Sequence, residues 1–282
     1  MSIAEKIATI AANEQRVYDA GYEKGKADGG GGGGYTDGDL DASYNEGYDD
    51  GRQAEYDAFW DDFQKNGKRT EYHNAFGIAW SSKTFRPKYN IVATGAYSMF
   101  HNFCYGQGVS LKQMLADCNV TLTFLNAYNI GNLFNSAGIT ELGEIDLSTT
   151  RNNSAYIFNE CILLKTIDRL VLPVGQTTFS GWFTNCKALE NITIEGEIIA
   201  DISFQWSTLL TRASIESIVN HLSDTATGKT LTLSKTAVDE AFKFELWTPE
   251  GELIEVSYGS DANNPYFPNL RDSKPNWTIT LV

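Results

Sequence analysis

Asp37-Gly38-Asp39-Leu40-Asp41 sets three carboxylates at alternate positions, as a calcium-binding loop does at its start. Such a loop then needs a glycine at its sixth position and a bidentate glutamate at its twelfth. Ala42 and Tyr48 stand there, so the stretch reads as a solvated acidic linker. His73, His101 and His221 share no ligand spacing and read as surface or packed histidines. Cys104, Cys118, Cys161 and Cys186 form no C-x-x-C pair, which leaves a zinc or redox motif unsignalled. Glycan hydrolysis wants two carboxyl groups flanking the scissile bond, but Asp and Glu are not concentrated in the middle of the chain. G-x-S-x-G, H-E-x-x-H and glycine-rich phosphate loops do not occur. The expectation is a protein without catalytic residues, metal or cofactor.

The middle of the chain is a repeat. Ala155-Tyr156-Ile157-Phe158-Asn159-Glu160-Cys161 is followed by Leu164, Ile167, Leu170 and Leu172. Phe183-Thr184-Asn185-Cys186 is followed by Leu189, Ile192 and Ile194, and Phe134-Asn135-Ser136-Ala137 by Ile139, Leu142, Ile145 and Leu147. Phe134, Phe158 and Phe183 are 24 and 25 residues apart, and Ala96 to Asn102 is a weaker opening copy. A fixed period of this size marks a solenoid, whose units bury their apolar faces only by stacking. Cys161 and Cys186 fall at one place in successive units and read as reduced, inward thiols. A bridge between adjacent units is the alternative, disfavoured in a reducing compartment.

The flanks read differently. In residues 1–28, Ile3, Ile7, Ile10 and Val17 recur at the 3.5-residue period of a coiled-coil seam, and isoleucine at both seam positions favours a homotrimer over a dimer. An amphipathic helix docked on its own domain is the other reading. Six glycines, Gly29 to Gly34, make 29–40 a flexible joint. A second helix is expected over 41–67, where Tyr56, Phe59, Trp60 and Phe63 share one face. Residues 68–95, rich in aromatics, read as the cap of the first repeat, the repeats as 96–210, and 211–282 as a mixed α/β cap ending in the strand Trp277 to Val282. Tyr128, Trp182 and Trp206 stand near turns between repeats, where planar rings with polar edges suit sugar or protein partners; filling the core is their other reading.

The formal net charge is -14. Residues 1–66 hold 15 acidic and 6 basic residues, a balance of 6 minus 15, or -9, so most of the charge lies ahead of the repeats. An acidic chain has no surface to displace counterions from nucleic acid, nor to dock on anionic lipid. No run of 18 apolar residues is present, so no membrane insertion is expected. Met1 to Arg16 lack a basic n-region, an apolar core and a cleavage site, which reads as synthesis in a cytoplasm without a secretory signal.

The phrase Phe-Asn-x-Cys-x-x-Leu-x-x-Ile resembles the BspA-like class of leucine-rich repeats. Ser214 to Asp224 with Thr227 to Leu233, and Gly51 to Asp61 with Asn66 to Thr70 and Phe85 to Tyr89, are similar to segments flanking such repeats in proteins of phages and prophages of Firmicutes. The resemblance implies a phage tail fibre, tail tip or baseplate component, located in the virion, whose partners are other tail proteins and a host surface glycan or protein. It brings no catalytic residues. A bacterial adhesion module with the same repeats is the alternative. Together these readings give an α+β fold: a helical coiled-coil stalk, a short leucine-rich-repeat solenoid and the α/β cap.

Overall fold

Leu142, Ile167 and Ile192 lie side by side in three parallel strands, each 25 residues from the next. This computed structural model describes residues 72–77, 80, 85–151 and 154–282. Of these, 72–77, 80, 87–151 and 154–282 belong to one compact unit. Its elements in chain order are β1 (Ile91–Ala93), β2 (Val109–Ser110), α1 (Leu111–Asp117), β3 (Leu122–Phe124), β4 (Ile139–Asp146), β5 (Thr166–Val171) and β6 (Asn191–Glu195). There follow β7 (Ile202–Phe204), α2 (Arg212–Asn220), β8 (Lys229–Leu233), α3 (Lys235–Phe242), β9 (Phe244–Trp247), β10 (Leu253–Ser257), α4 (Tyr266–Asp272) and β11 (Trp277–Leu281).

The expected α+β fold with a long helical stalk is corrected. The described residues are mostly strands in parallel and antiparallel sheets, and their four helices are of seven, nine, eight and seven residues. The seam of Ile3, Ile7, Ile10 and Val17, the glycine joint, the helix over 41–67 and the Asp37–Asp41 stretch lie outside the described residues. Within them, a repeat unit gives its chain to one strand and one turn, which leaves no length for a long helix.

Strands β2, β4, β5 and β6 form one parallel sheet in that order. Its inward columns, Leu142–Ile167–Ile192 and Ile145–Leu170–Ile194, are buried and built from branched residues that suit a half-buried pleated surface. Opposite the sheet, the chain runs as a ribbon of turns. Here positive-φ residues recur four apart: Ser98 and Asn102, Asn132 and Ser136, Tyr156 and Glu160, Gly181 and Asn185. Four of these eight are Asn or Gly, residues that enter the left-handed region with the least difficulty.

With a left-handed residue at every fourth position, every second amide of the ribbon points to the next rung. Asn132, Phe134 and Ser136 donate to the carbonyls of Ala155, Ile157 and Asn159, and Tyr156, Phe158 and Glu160 donate to Ser180, Trp182 and Thr184. Residues 72–77, ahead of the segment read as repeats, make the same bonds: Asn74 to Tyr97 and Phe76 to Met99. The phenylalanine rings stack through the centre, with centroids at 5.2 Å for Phe76–Phe100, 5.2 Å for Phe100–Phe134, 5.6 Å for Phe134–Phe158, 5.3 Å for Phe158–Phe183 and 4.4 Å for Phe183–Phe204. Each such pair adds about 0.5–1.5 kcal/mol beyond the area it buries.

The sheet ends at β6, where an open edge would invite pairing with another chain. Helix α2 closes it with side chains. Ile192 N–H donates to Ser214 Oγ at 3.0 Å, and Ile194 N–H to Ser217 Oγ at 2.9 Å. Thr211 caps this helix and its own amide donates to Glu190 O, which fixes where the serines fall. Beyond it, β7, β8 and β11 form a second parallel sheet, and β9 with β10 a hairpin.

Candidate functional site

Both broad faces of the repeat segment are candidates for recognition, and their chemistry differs. The outward sheet face is charged. Arg169 on β5 pairs with Glu144 at 2.5 Å on one side and Glu195 at 2.6 Å on the other, and Lys112 pairs with Asp168 at 2.7 Å. The hydrogen bonds that the Arg169 guanidinium donates to Glu195 and Glu144 hold its pKa above its ordinary value. These pairs are exposed: Arg169 is shared by carboxylates of both neighbouring strands, and Lys112, just after β2, reaches across β4 to Asp168 on β5.

The turn ribbon is sorted by backbone geometry. Two consecutive positions point inward in each rung: Met99 and Phe100, Leu133 and Phe134, Ile157 and Phe158, Trp182 and Phe183 are all buried. The positions around them face out. They carry Tyr97, His101 and Asn102, then Asn132, Asn135 and Ser136, then Tyr156, Asn159 and Glu160, then Thr184 and Asn185. None of these is Lys or Arg, and Glu160 is the one carboxylate, held by Asn185 Nδ2 at 2.6 Å. This face is amide, hydroxyl and aromatic.

A relay of side chains fixes the amides. Asn159 Nδ2 donates to Asn135 Oδ1 at 3.0 Å, Asn135 Nδ2 to Asn132 Oδ1 at 3.0 Å, and Asn132 Nδ2 to the Tyr97 hydroxyl at 3.3 Å. An Asn amide has two N–H groups, so each keeps a second donor beside the one spent in the relay. Two tyrosines interrupt the amides, Tyr97 at 40% and Tyr156 at 46% exposure. Each ring leans on a glycine of the next rung. A Cβ on Gly131 would stand 3.5 Å from Tyr97 Cδ2, and one on Gly181 only 2.2 Å from Tyr156 Cδ1. Tyr156 itself has φ +59°, at the place where other rungs carry Ser98, Asn132 and Gly181. For a bulky residue this conformation costs roughly 1–2 kcal/mol.

The three aromatics read as surface candidates or core fillers divide. Trp182 is 1% exposed, and its indole N–H donates to Ser154 O at 2.7 Å, so it belongs to the core. Trp206 is 42% exposed, with Lys187 Nζ 5.9 Å from its ring centroid. Tyr128, also 42% exposed, lies beside Gly95 and touches His73. Tyr97 N–H donates to His73 Nδ1 at 3.2 Å, which places the ring proton on Nε2, 2.9 Å from the Tyr128 hydroxyl. Tyr97 and Tyr156 were legible as members of the repeated phrase; the signal that singles them out is a glycine one rung later.

Cys104, Cys161 and Cys186 are buried free thiols. Burial pushes the pKa of Cys104 and Cys161 up to about 12, and that of Cys186 well above the ordinary range. They are inert neutral groups at physiological pH. Among the described residues no cluster of three His, Cys, Asp or Glu side chains is placed to hold a metal ion, and no helix is long and apolar enough to cross a membrane. Comparison with protein-family models, with curated proteins and with solved structures finds no match to this chain.

Proposed function

We propose that the chain is a non-enzymatic phage tail protein, of a fibre, tail tip or baseplate, that offers the outer face of its stacked turns to a host cell surface or to a neighbouring tail protein. The observation that carries this reading is the ordered ribbon face, free of Lys and Arg and with Glu160 as its one carboxylate, where Tyr97 and Tyr156 stand among amides locked into one relay. A rigid surface of side chains immobilised before contact loses little entropy on binding. The assignment to a tail rests on the resemblance of the repeats and their flanks to those of Firmicutes phage proteins. Hydrolysis of a glycan is disfavoured at this face, because Glu160 stands there without a second carboxylate to flank a bond. Three copies per assembly is the stoichiometry proposed from Ile3, Ile7, Ile10 and Val17, and a monomeric mass by light scattering overturns it.

The test is immunogold labelling of particles induced from a lysogen that encodes the chain, with antibody against the repeats. Label on the tail tip or fibres supports the reading. Label on the cell envelope, with bare particles, supports the bacterial adhesion module instead.

A further inference from the structure

We propose that the turn ribbon binds an extended, uncharged oligosaccharide, whose sugar rings stack on Tyr97 and Tyr156 and whose hydroxyls pair with the amides of Asn132, Asn135 and Asn159. The inference names the ligand class of the surface proposed above and rests on that reading.

Four observations converge. First, both half-exposed rings lie over a glycine of the next rung: Tyr156 rests directly on Gly181, where a Cβ would stand 2.2 Å from the ring, and Tyr97 lies over Gly131, where a Cβ would be at contact distance, 3.5 Å. An aromatic face held in this way is a platform for the apolar face of a sugar. Second, the rings are spaced. The rungs of Phe100 and Phe158 are separated by two stacking steps of 5.2 and 5.6 Å. Tyr97 and Tyr156 therefore stand roughly 10 Å apart along the stack, two strand spacings, which is the run of about two sugar rings in an extended chain. Third, the relay from Asn159 to Tyr97 fixes the orientation of the amides between them, leaving a second N–H on each amide along the path from one ring to the other, while Asn135 Oδ1 is filled by Asn159 and Ser136. Fourth, the face lacks Lys and Arg, so an acidic polysaccharide would meet no counter-charge, whereas a neutral one asks only for hydrogen bonds and stacking.

Tyr156 adds an argument of its own. Its position in other rungs is Ser98, Asn132 and Gly181, yet a large ring is kept there at positive φ. Strain of this kind persists where surrounding structure enforces it, and it marks places of use.

The experiment is calorimetric titration of the full chain with neutral hexasaccharides of glucose, mannose, galactose and N-acetylglucosamine, and with hexasaccharides of uronic acids. Saturable binding of at least one neutral member is expected. Tyr156→Ala and Tyr97→Ala each weaken it at least tenfold, Tyr156→Phe less than threefold, and Arg169→Ala on the sheet face not at all, with circular dichroism unchanged throughout. Binding of uronic-acid members alone, no saturable binding by any neutral member, or wild-type affinity in the folded Tyr97→Ala/Tyr156→Ala variant overturns the proposal. Labelling of Firmicutes cells with fluorescent protein separates it from the attachment reading. If the double variant labels cells as wild type does, or if labelling is lost after protease and kept after periodate, the sugar proposal falls and attachment stands. If the wild type binds a neutral hexasaccharide but labels no cells, attachment falls and the sugar site stands.

Discussion

The Cys161 thiol donates to the carbonyl of Phe134, one rung back, at 2.9 Å, and the Cys186 thiol repeats the contact to Phe158 at 3.0 Å. The pair explains why cysteine recurs at this place: it is small enough for the inward column and still offers a weak donor. Burial raises the pKa of Cys104 and Cys161 to about 12, and it raises that of Cys186 well above the ordinary value. Titration of native protein with an aromatic disulfide at pH 8 should modify Cys118 alone, the half-buried thiol, and all four cysteines after unfolding in urea. Cys161→Ala should cost on the order of 1–2 kcal/mol by urea denaturation, with the slope unchanged.

Gly181 tests the seat of Tyr156. Its φ of +67° costs any other L-residue about 1–2 kcal/mol. Gly181→Ala adds a clash, since the new Cβ falls 2.2 Å from Tyr156 Cδ1. Gly175→Ala, at φ +75° with nothing within 4 Å, should show the backbone part alone. In a double-mutant cycle, Gly181→Ala with Tyr156→Ala should recover the remainder, a coupling of about 0.5–3 kcal/mol.

The serines of α2 govern the edge of β6. Ser214→Ala with Ser217→Ala removes the acceptors of Ile192 and Ile194 and should destabilise by about 1–3 kcal/mol for each amide left unpaired. The same variant uncovers a strand edge, so sedimentation velocity should show concentration-dependent association that wild type lacks.

Asp239 supplies a pH dependence. Burial alone would raise its pKa, but hydrogen bonds from Lys235 and from Ser260 outweigh it and hold the carboxyl below its ordinary value. A depressed folded value means the stabilisation is present above the unfolded pKa, near 4, and drains as the pH falls through the folded one. Asp239→Asn should therefore be less stable than wild type at pH 7, by the 0.2–1 kcal/mol or so typical of a partly exposed pair. The gap should close as urea midpoints are followed from pH 5 to pH 3.

Phe134, Phe158 and Phe183 were readable in the sequence because a ring ladder demands one residue type at one spacing. Phe76 belongs to the same ladder, yet its rung carries no Asn-x-Cys phrase and reads as a cap. Trp182 is a surface candidate because it stands beside a turn, with core filling as its other reading; the ribbon geometry decides for the core, sending two consecutive side chains inward, as with Ile157 and Phe158. That inward pair recurs with no hydrophobic period of 2 or 3.6, so neither strand nor helix reasoning finds it. The helical expectation drew on residues 1–28 and 41–67, and on periodicity that within the described chain supports only short helices such as Arg212–Asn220. Tyr97 and Tyr156 could be found only by laying rungs side by side and asking where a glycine follows a ring.

Among the described residues, the stacked turns are joined by amides of an earlier rung donating to carbonyls of the next, from Tyr72 to Gly95 at one end to Glu160 to Thr184 at the other. The donors of any rung therefore match the acceptors of any other. Duplicating or deleting one whole unit in the gene leaves the bonding pattern intact, and the closing serines of α2 are needed once whatever the count. Recombination can thus lengthen or shorten the presented surface in single-rung steps without redesigning the ends.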